Sequence, residues 1–141
     1  MKTFALSFSL CCQLFAAAPV LFYSDLDSGP VGSYVTLYGN NLSSSGSVTM
    51  GVSVAPVASW SPSKVVIQVP ASATTGSIIV TTGGASSNGL PFTVRAGNLR
   101  FVATNGSDSA AGTITAPWKT IPYAVQHIAP CDVRYARDGV P

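Results

Sequence analysis

Short runs of alternating side chains, separated by turn-forming residues, fill the chain between residues 19 and 95. In the clearest run, residues 34–38, Val35 and Leu37 alternate with two tyrosines and a threonine. This period of two is typical of a β-strand with one buried and one exposed face. Apolar residues in this region show no helical spacing, and about seven such runs follow one another at the spacing of sandwich strands. The region is therefore predicted to form an antiparallel β-sandwich.

Residues that cannot continue a strand mark where the strands end. Gly39 and Asn40 follow the run at residues 34–38, and both residue types tolerate positive φ. Pro70 has no backbone N–H to donate, so it stops the run at residues 64–69. The remaining runs lie at residues 20–23, 77–81 and 90–94, and residues 48–57 read as a pair of short strands around Gly51.

Residues 1–18 have the organisation of a secretory signal peptide. Lys2 supplies a positive start, residues 4–15 are mostly apolar, and residues 16–18 are three alanines that suit a cleavage site. The apolar stretch is shorter than the roughly 20 residues that span a bilayer. We therefore expect cleavage near Ala18, an extracellular location, and no membrane attachment of the cleaved chain.

The chain carries few charges, which limits its partners. Asp, Glu, Lys and Arg make up 9% of its residues, and the formal net charge is +2. Within residues 19–95 the acidic and basic side chains balance. Proteins that bind nucleic acid need clustered Lys and Arg, because much of their affinity comes from displacing counterions. The composition therefore argues against a nucleic-acid partner.

Several short motifs occur in a fixed order within residues 19–95. Residues 28–32 read Ser-Gly-Pro-Val-Gly, and residues 35–42 read Val-Thr-Leu-Tyr-Gly-Asn-Asn-Leu. The later landmarks are Trp60-Ser61, Pro70, Thr75-Gly76 and Pro91-Phe92-Thr93-Val94. This series resembles the IPT/TIG domain family, and the resemblance implies an immunoglobulin-like fold. Transcription factors, receptor ectodomains and bacterial secreted proteins share that domain, so the resemblance names no single function.

After a linker at residues 96–98 the pattern changes. Residues 99–103 read as a strand, and residues 120–129 have helical spacing. The apolar face of this helix would comprise Ile121, Ala124, Val125 and Ile128. Thr120 can cap the start of the helix and Pro130 can stop it. The sequence thus predicts one short helix in an otherwise all-β chain.

Residues 99–141 carry a second ordered series of motifs. The series is Gly106-Ser107-Asp108, Gly112-Thr113, Pro117-Trp118-Lys119-Thr120-Ile121 and Arg137-Asp138-Gly139. It resembles the N-terminal cap of a right-handed parallel β-helix of the pectate-lyase-like type. Each coil of such a solenoid is buried only against the next, and about three are needed for stability. The resemblance therefore implies that residues 99–141 are a truncated cap, and that calcium-binding and catalytic carboxylates belong to later coils.

Few residues are candidates for catalysis or metal binding. Asp108, Asp132 and Asp138 stand in predicted turns, where an Asp side chain ordinarily bonds its own backbone. His127 has no acidic or cysteine partner at usable spacing, and Cys131 is single once the leader is removed, so no intrachain disulfide is expected. We therefore expect no catalytic residue, no metal and no cofactor.

Three aromatic residues are the candidate glycan-stacking site: Tyr34, Tyr38 and Trp60. Tyr34 and Tyr38 share the outward face of one predicted strand, about 13 Å apart at the usual rise per residue. Exposed aromatic rings at such a distance can stack on sugar rings. The same pattern also fits tyrosines that cover a neighbouring strand as cross-strand pairs, and a tryptophan that packs at the core or an edge.

Two functions are consistent with these features. The first is the N-terminal part of a larger polysaccharide-associated β-helix protein, of lyase or hydrolase type, in which the sandwich positions the β-helix. The alternative is a stand-alone secreted module that binds polysaccharide or a cell-surface glycan through the sandwich. In both cases the chain itself is expected to be non-enzymatic. Its oligomeric state does not follow from the sequence.

Overall fold

The computed structural model describes residues 17–137. Most of the leader predicted at residues 1–18, and the turn predicted around Asp138, therefore lie outside the described residues. The strands of the sandwich are β1 (Val20–Ser24), β2 (Ser28–Gly29), β3 (Tyr34–Asn40), β4 (Ser47–Met50), β5 (Ser53–Val54), β6 (Val57–Ser61), β7 (Lys64–Gln68), β8 (Gly76–Thr82), β9 (Ala85–Ser86) and β10 (Leu90–Val94). The part that follows, which we call the tail, adds β11 (Leu99–Val102), α1 (Ile121–His127) and β12 (Val133–Ala136).

Strands β1 to β10 form two sheets. The first sheet has the strand order β1-β3-β7-β6 and is antiparallel throughout. The second has the order β2-β10-β8-β4-β5, with β9 paired to β8, and only its β2–β10 pair is parallel. The predicted all-β architecture is confirmed. The pair of short strands predicted around Gly51 corresponds to β4 and β5, whereas the two-residue strands β2 and β9 were not predicted, because so short a run has no alternation to recognise.

The core lies between the two sheets and is built from alternate residues of their strands. Val35 and Leu37 of β3 are fully buried, as the alternation at residues 34–38 predicts. Ile78 of β8 and Phe92 of β10 meet them from the second sheet in one continuous apolar cluster. This cluster fixes the side of the first sheet that faces inward, and hence the residues on its outer face.

The tail has a small core of its own. β11 and β12 pair in parallel, with Phe101 opposite Tyr135. The buried residues of this core are Val102, Trp118 and Ala124. The backbone of Trp118 bridges to β11, since its N–H donates to the carbonyl of Phe101 at 2.8 Å. Thus the loop between β11 and α1 is fastened to the parallel pair.

Helix α1 is shorter than the sequence predicts. Thr120 caps it as expected, because its hydroxyl accepts the N–H of Tyr123 at 3.3 Å. The helix ends at His127, and Ile128, predicted to lie within it, is the extended C-cap residue. Val125 is 56% exposed, so its predicted place on the buried face is wrong. The helix contacts the small tail core through Ala124, which is buried, and through Ile121 and Tyr123, which are partly buried. Within residues 17–137 no helix has the length and apolar character needed to cross a membrane.

Candidate functional site

The outer face of the first sheet carries tyrosines on two neighbouring strands. Strand β3 lies between β1 and β7, and Tyr34, Thr36 and Tyr38 alternate with its buried residues. Strand β1 adds Tyr23, which lies opposite Tyr38. We call these four residues, with the β7 residues opposite β3, the tyrosine face. The β7 members are Lys64, Val66 and Gln68.

Tyr23 and Tyr38 stack on one another. Their ring centroids are 4.7 Å apart and their planes differ by 18°. Tyr23 is 55% exposed, whereas Tyr38 is half-buried. A register shift between Leu21 and Tyr23 places Phe22 in a bulge. Sequence alternation did not indicate Tyr23, because a bulge changes which residues of a strand face outward.

Tyr34 is joined to the tail rather than to β1. Strand β1 ends at Ser24, opposite Leu37, and so does not reach the N–H of Tyr34. The hydroxyl of Tyr135 accepts this N–H at 2.7 Å. The two rings meet edge to face at 5.8 Å, and Tyr135 stacks in turn on Phe101 at 5.6 Å. The tail thereby continues the aromatic row of β3 past the end of β1.

The phenol of Tyr135 lies in a partly buried position between the tail and the sandwich. Burial raises its pKa above the ordinary value of 10.0, although the hydrogen bond from the Tyr34 amide acts to lower it. The phenol is therefore neutral near pH 7. Ser33 is fully buried, and its hydroxyl oxygen has no partner within hydrogen-bond geometry among the described residues. Tyr135 thus lies beside Ser33, whose hydroxyl is the one buried side-chain polar atom without a hydrogen-bond partner among residues 17–137.

Trp60 does not join the tyrosines. It lies on β6 opposite Val65, whose side chain is part of the core, and it packs against that core. Its indole N–H donates to the carbonyl of Leu42 at 2.9 Å. The structure therefore brings Tyr34 and Tyr38 onto one face and places Trp60 on the inner side of the same sheet. Stacking of Trp60 on a sugar ring would require it to leave these contacts.

Two opposite charges lie at the tyrosine face: Lys64 of β7, and Asp25, which pairs with Thr36 just beyond the end of β1. The carboxylate of Asp25 accepts the N–H of Thr36 at 2.7 Å, and the Asp25 N–H donates to the Thr36 carbonyl at 3.0 Å. Asp25 thus extends the pairing of β1 with β3 by a side-chain bond. Lys64 lies opposite Tyr38 on β7. The charges at this face therefore sum to zero, and its surface is aromatic and polar.

The Asp108 carboxylate holds the tail loop together. It accepts the N–H groups of Lys119 and Thr120, each at 2.9 Å, and the Thr120 hydroxyl at 2.8 Å. Burial raises the pKa of Asp108, but these hydrogen bonds outweigh burial and lower it below 3.8. These hydrogen bonds give Asp108 a structural role in the loop. The expectation that Asp108 bonds its own turn is wrong, because its partners lie 11 and 12 residues further along the chain.

Asp132 ties β12 to the start of β11. Its carboxylate accepts the N–H of Asn98 at 2.8 Å and pairs with Nε of Arg100 at 3.1 Å. Burial again raises the pKa, and the bonds from Asn98 and Arg100 lower it below the ordinary value. Asp132 is therefore also structural, and it too bonds a distant segment rather than its own turn.

The other candidates lie apart from one another. His127 is exposed on α1, where its ring stacks on Tyr123 with the centroids 3.8 Å apart. Cys131 is exposed and free. Within residues 17–137, no three His, Cys, Asp or Glu side chains converge as metal ligands would. A shallow cleft of about 430 Å³ lies on the second sheet, lined by Asp27, Ser28, Pro91, Thr93 and Arg95.

Comparison with known protein families gives one match. The model of the IPT/TIG domain matches residues 24–94, which is half of the chain and nearly all of the sandwich. No curated protein matches the chain.

Solved structures share the fold of the sandwich. A γ-CGTase from alkalophilic Bacillus clarkii is 29% identical over 64% of this chain and 14% of its own, with a TM-score of 0.55. An auxiliary nutrient binding protein from Bacteroides thetaiotaomicron VPI-5482 is 22% identical over 56% of this chain and 21% of its own, with a TM-score of 0.51. A structure with a xylogluco-oligosaccharide is 16% identical over 57% of this chain and 20% of its own, also with a TM-score of 0.51. The chain thus spans about a seventh to a fifth of the length of these proteins.

Proposed function

Because the chain belongs to the IPT/TIG domain family, we propose that its sandwich is a non-catalytic, glycan-binding module of a secreted, polysaccharide-associated protein. The observation that carries the proposal is the tyrosine face. Tyr23, which is exposed, stacks there on the half-buried Tyr38, and Tyr34 lies further along β3. A pyranose ring has an apolar side of C–H groups that packs on an aromatic ring, while its hydroxyls stay in water or bond polar neighbours. Tyrosine, with an apolar body and a polar tip, suits such a surface.

The structural relatives are in keeping with this proposal. One is a nutrient binding protein and another was solved with a xylogluco-oligosaccharide. Their low identity supports a shared fold, and a shared ligand class is part of our proposal. The leader predicted at residues 1–18 would deliver the sandwich to the outside of the cell, where polysaccharides are found.

We further propose that the tail begins a right-handed parallel β-helix of pectate-lyase-like type in a longer parent protein. The parallel pairing of β11 and β12, with α1 between them, is the arrangement from which coils of such a solenoid would continue. In this view a lyase or hydrolase activity would belong to later coils, and the present residues would only position them. The alternative is a stand-alone glycan-binding module. A natural reading frame with parallel coils after residue 141 would support the first, and a secreted product that ends there would favour the second.

Retention of the purified chain in native gels that contain cell-wall polysaccharides tests glycan binding. We expect retention of the unmodified chain and weaker retention of Tyr23→Ala and Tyr38→Ala, because each substitution removes one ring of the stack. Val52→Ala is the matched control, since Val52 is 92% exposed in the turn between β4 and β5, away from the tyrosine face. Equal migration of all four proteins with and without every polysaccharide would refute the proposed function.

A further inference from the structure

We propose that the tyrosine face binds a neutral glycan chain lying along β3, and that Tyr135 of the tail is part of this binding site. The proposal rests on the glycan-binding function proposed above, and it adds the charge class of the ligand and a residue outside the sandwich.

The aromatic groups form a row rather than a single platform. The Tyr23–Tyr38 stack lies at one end, and Tyr34 lies four residues away on β3, about 13 Å at the usual rise per residue. Tyr135 then follows at 5.8 Å from Tyr34, with Phe101 stacked behind it. A row of this length exceeds a single sugar ring. It therefore fits several consecutive sugars of one chain.

The charges along this row do not suit a polyanion. Asp25 and Lys64 balance each other, and the Asp25 carboxylate is fixed beside Thr36 in the middle of β3. Uronic-acid polysaccharides carry a negative charge on each sugar, and a surface that recognises them needs an excess of positive charge. The tyrosine face has no such excess and places a carboxylate between its two aromatic ends. We therefore infer an uncharged glycan.

The tail and the sandwich present their parts of the row as one surface. The Tyr135 hydroxyl is bonded to the Tyr34 backbone, and Leu99 packs against Gly32 at the end of the same sheet. On the other side of the linker, the Arg95 guanidinium donates to the Cys131 carbonyl. These contacts hold Tyr135 at a fixed distance from Tyr34. Binding is stronger when the aromatic residues are already held in place, because no further conformational entropy is lost in ordering them when the glycan binds.

The test compares the full chain on two probes, neutral xyloglucan and anionic polygalacturonate, by isothermal titration. We expect binding to xyloglucan alone. Tyr135→Ala removes one stacking ring and should lower the affinity for xyloglucan about tenfold. Tyr135→Phe should retain most of the affinity, because the ring remains. Val125→Ala is the control in the tail, since Val125 is exposed on α1 and lies outside the row. Its affinity should equal that of the unmodified chain.

Each outcome has a distinct meaning. Binding to polygalacturonate without binding to xyloglucan would contradict the inference that the ligand is neutral, but it would still support glycan binding. Equal affinity of Tyr135→Ala and the unmodified chain would overturn the role of Tyr135 alone. Absence of binding to either probe and to every other polysaccharide would remove the proposed function itself. Tyr135→Ala could also weaken binding by loosening the tail, so a second measurement uses the unmodified chain. We expect the NMR signals of the Tyr135 ring to shift when a xylogluco-oligosaccharide is added. Unchanged signals would refute a contact between Tyr135 and the glycan.

Discussion

Gly112 is the residue on which packing around Trp118 depends. Its φ is +73°, and a Cβ built there would lie 2.6 Å from the Trp118 ring. Both facts exclude other residues, since L side chains rarely adopt this φ and the ring leaves no space for a methyl group. The close contact between this loop and the indole ring is therefore possible because residue 112 has no side chain.

Gly112→Ala should destabilise the tail by about 3 kcal/mol, the sum of backbone strain and overpacking. Gly84→Ala is the matched control, because Gly84 has φ +82° and a Cβ added there would meet nothing within 4 Å. It should cost only the backbone strain, about 1–2 kcal/mol. Denaturant unfolding followed by tryptophan fluorescence measures both. Equal losses for the two variants would show that the Trp118 ring moves aside without cost.

Asp108 should make the tail sensitive to acid. Its pKa in the folded chain is below 3.8, so its stabilising effect is fully present above pH 3.8 and is lost as the pH falls through the lowered value. We expect Trp118 fluorescence to report opening of the loop below about pH 4. Asp108→Asn has no carboxylate at this position at any pH. The tail loop of this variant should therefore be less stable at pH 7, and its unfolding should depend less on pH in the acid range. An unchanged acid transition in this variant would contradict the assignment.

At the scale of the elements, the joint between tail and sandwich depends on where β1 stops. Had β1 continued past Ser24, its backbone would have taken the N–H of Tyr34. Because it stops, that donor is available to the Tyr135 hydroxyl on β12. The Tyr135 hydroxyl thus accepts the hydrogen bond that a further backbone carbonyl of β1 would otherwise accept.

Tyr135→Phe removes the acceptor and keeps the ring. We expect the amide proton of Tyr34 to exchange with solvent several-fold faster in this variant, because its donor is returned to water. The amide of Val35 provides the internal control, since Val35 is buried and pairs with Ile67 in the β3–β7 ladder. Unchanged exchange at Tyr34 would mean that the tail does not protect this end of β3.

Features with a local cause were predictable from the sequence. The alternation of β3 and the cap at Thr120 each depend on neighbouring residues, and both were predicted. The features of the candidate site that were missed depend on distant residues. Tyr23 faces outward because of a bulge against β3, and Tyr135 reaches Tyr34 across 101 positions. Contacts between residues so far apart in the chain leave no pattern in the local sequence. The sequence therefore predicted Tyr34 and Tyr38 on the outer face of β3, but it predicted neither Tyr23 nor Tyr135 beside them.

For the whole molecule, the two cores differ greatly in size. The sandwich buries apolar residues from both sheets, whereas three buried residues form the core of the tail. A domain the size of the sandwich buries about 60% of its unfolded surface, which is enough to fold alone with modest stability. The tail has far too small a core for that, and it depends on the sandwich and on its own hydrogen bonds.

Residues 19–97, expressed alone, should therefore unfold cooperatively with a midpoint close to that of the full chain. Residues 98–137, expressed alone, should lack a thermal transition. Circular dichroism and proton NMR of the two fragments measure this. A cooperative transition in the isolated tail would show that its hydrogen bonds suffice without the sandwich.

The short linker between β10 and β11 has a consequence for resistance to proteases. Only residues 95–98 separate β10 from β11, and Arg95, the residue after which trypsin would cut, has its guanidinium bonded to the Cys131 carbonyl. A protease needs a longer extended segment than this linker offers, so cutting there requires the tail to come away first. The rate of cleavage after Arg95 thus measures how often the two parts separate, and a ligand that bridges them along β3 would protect the chain from digestion.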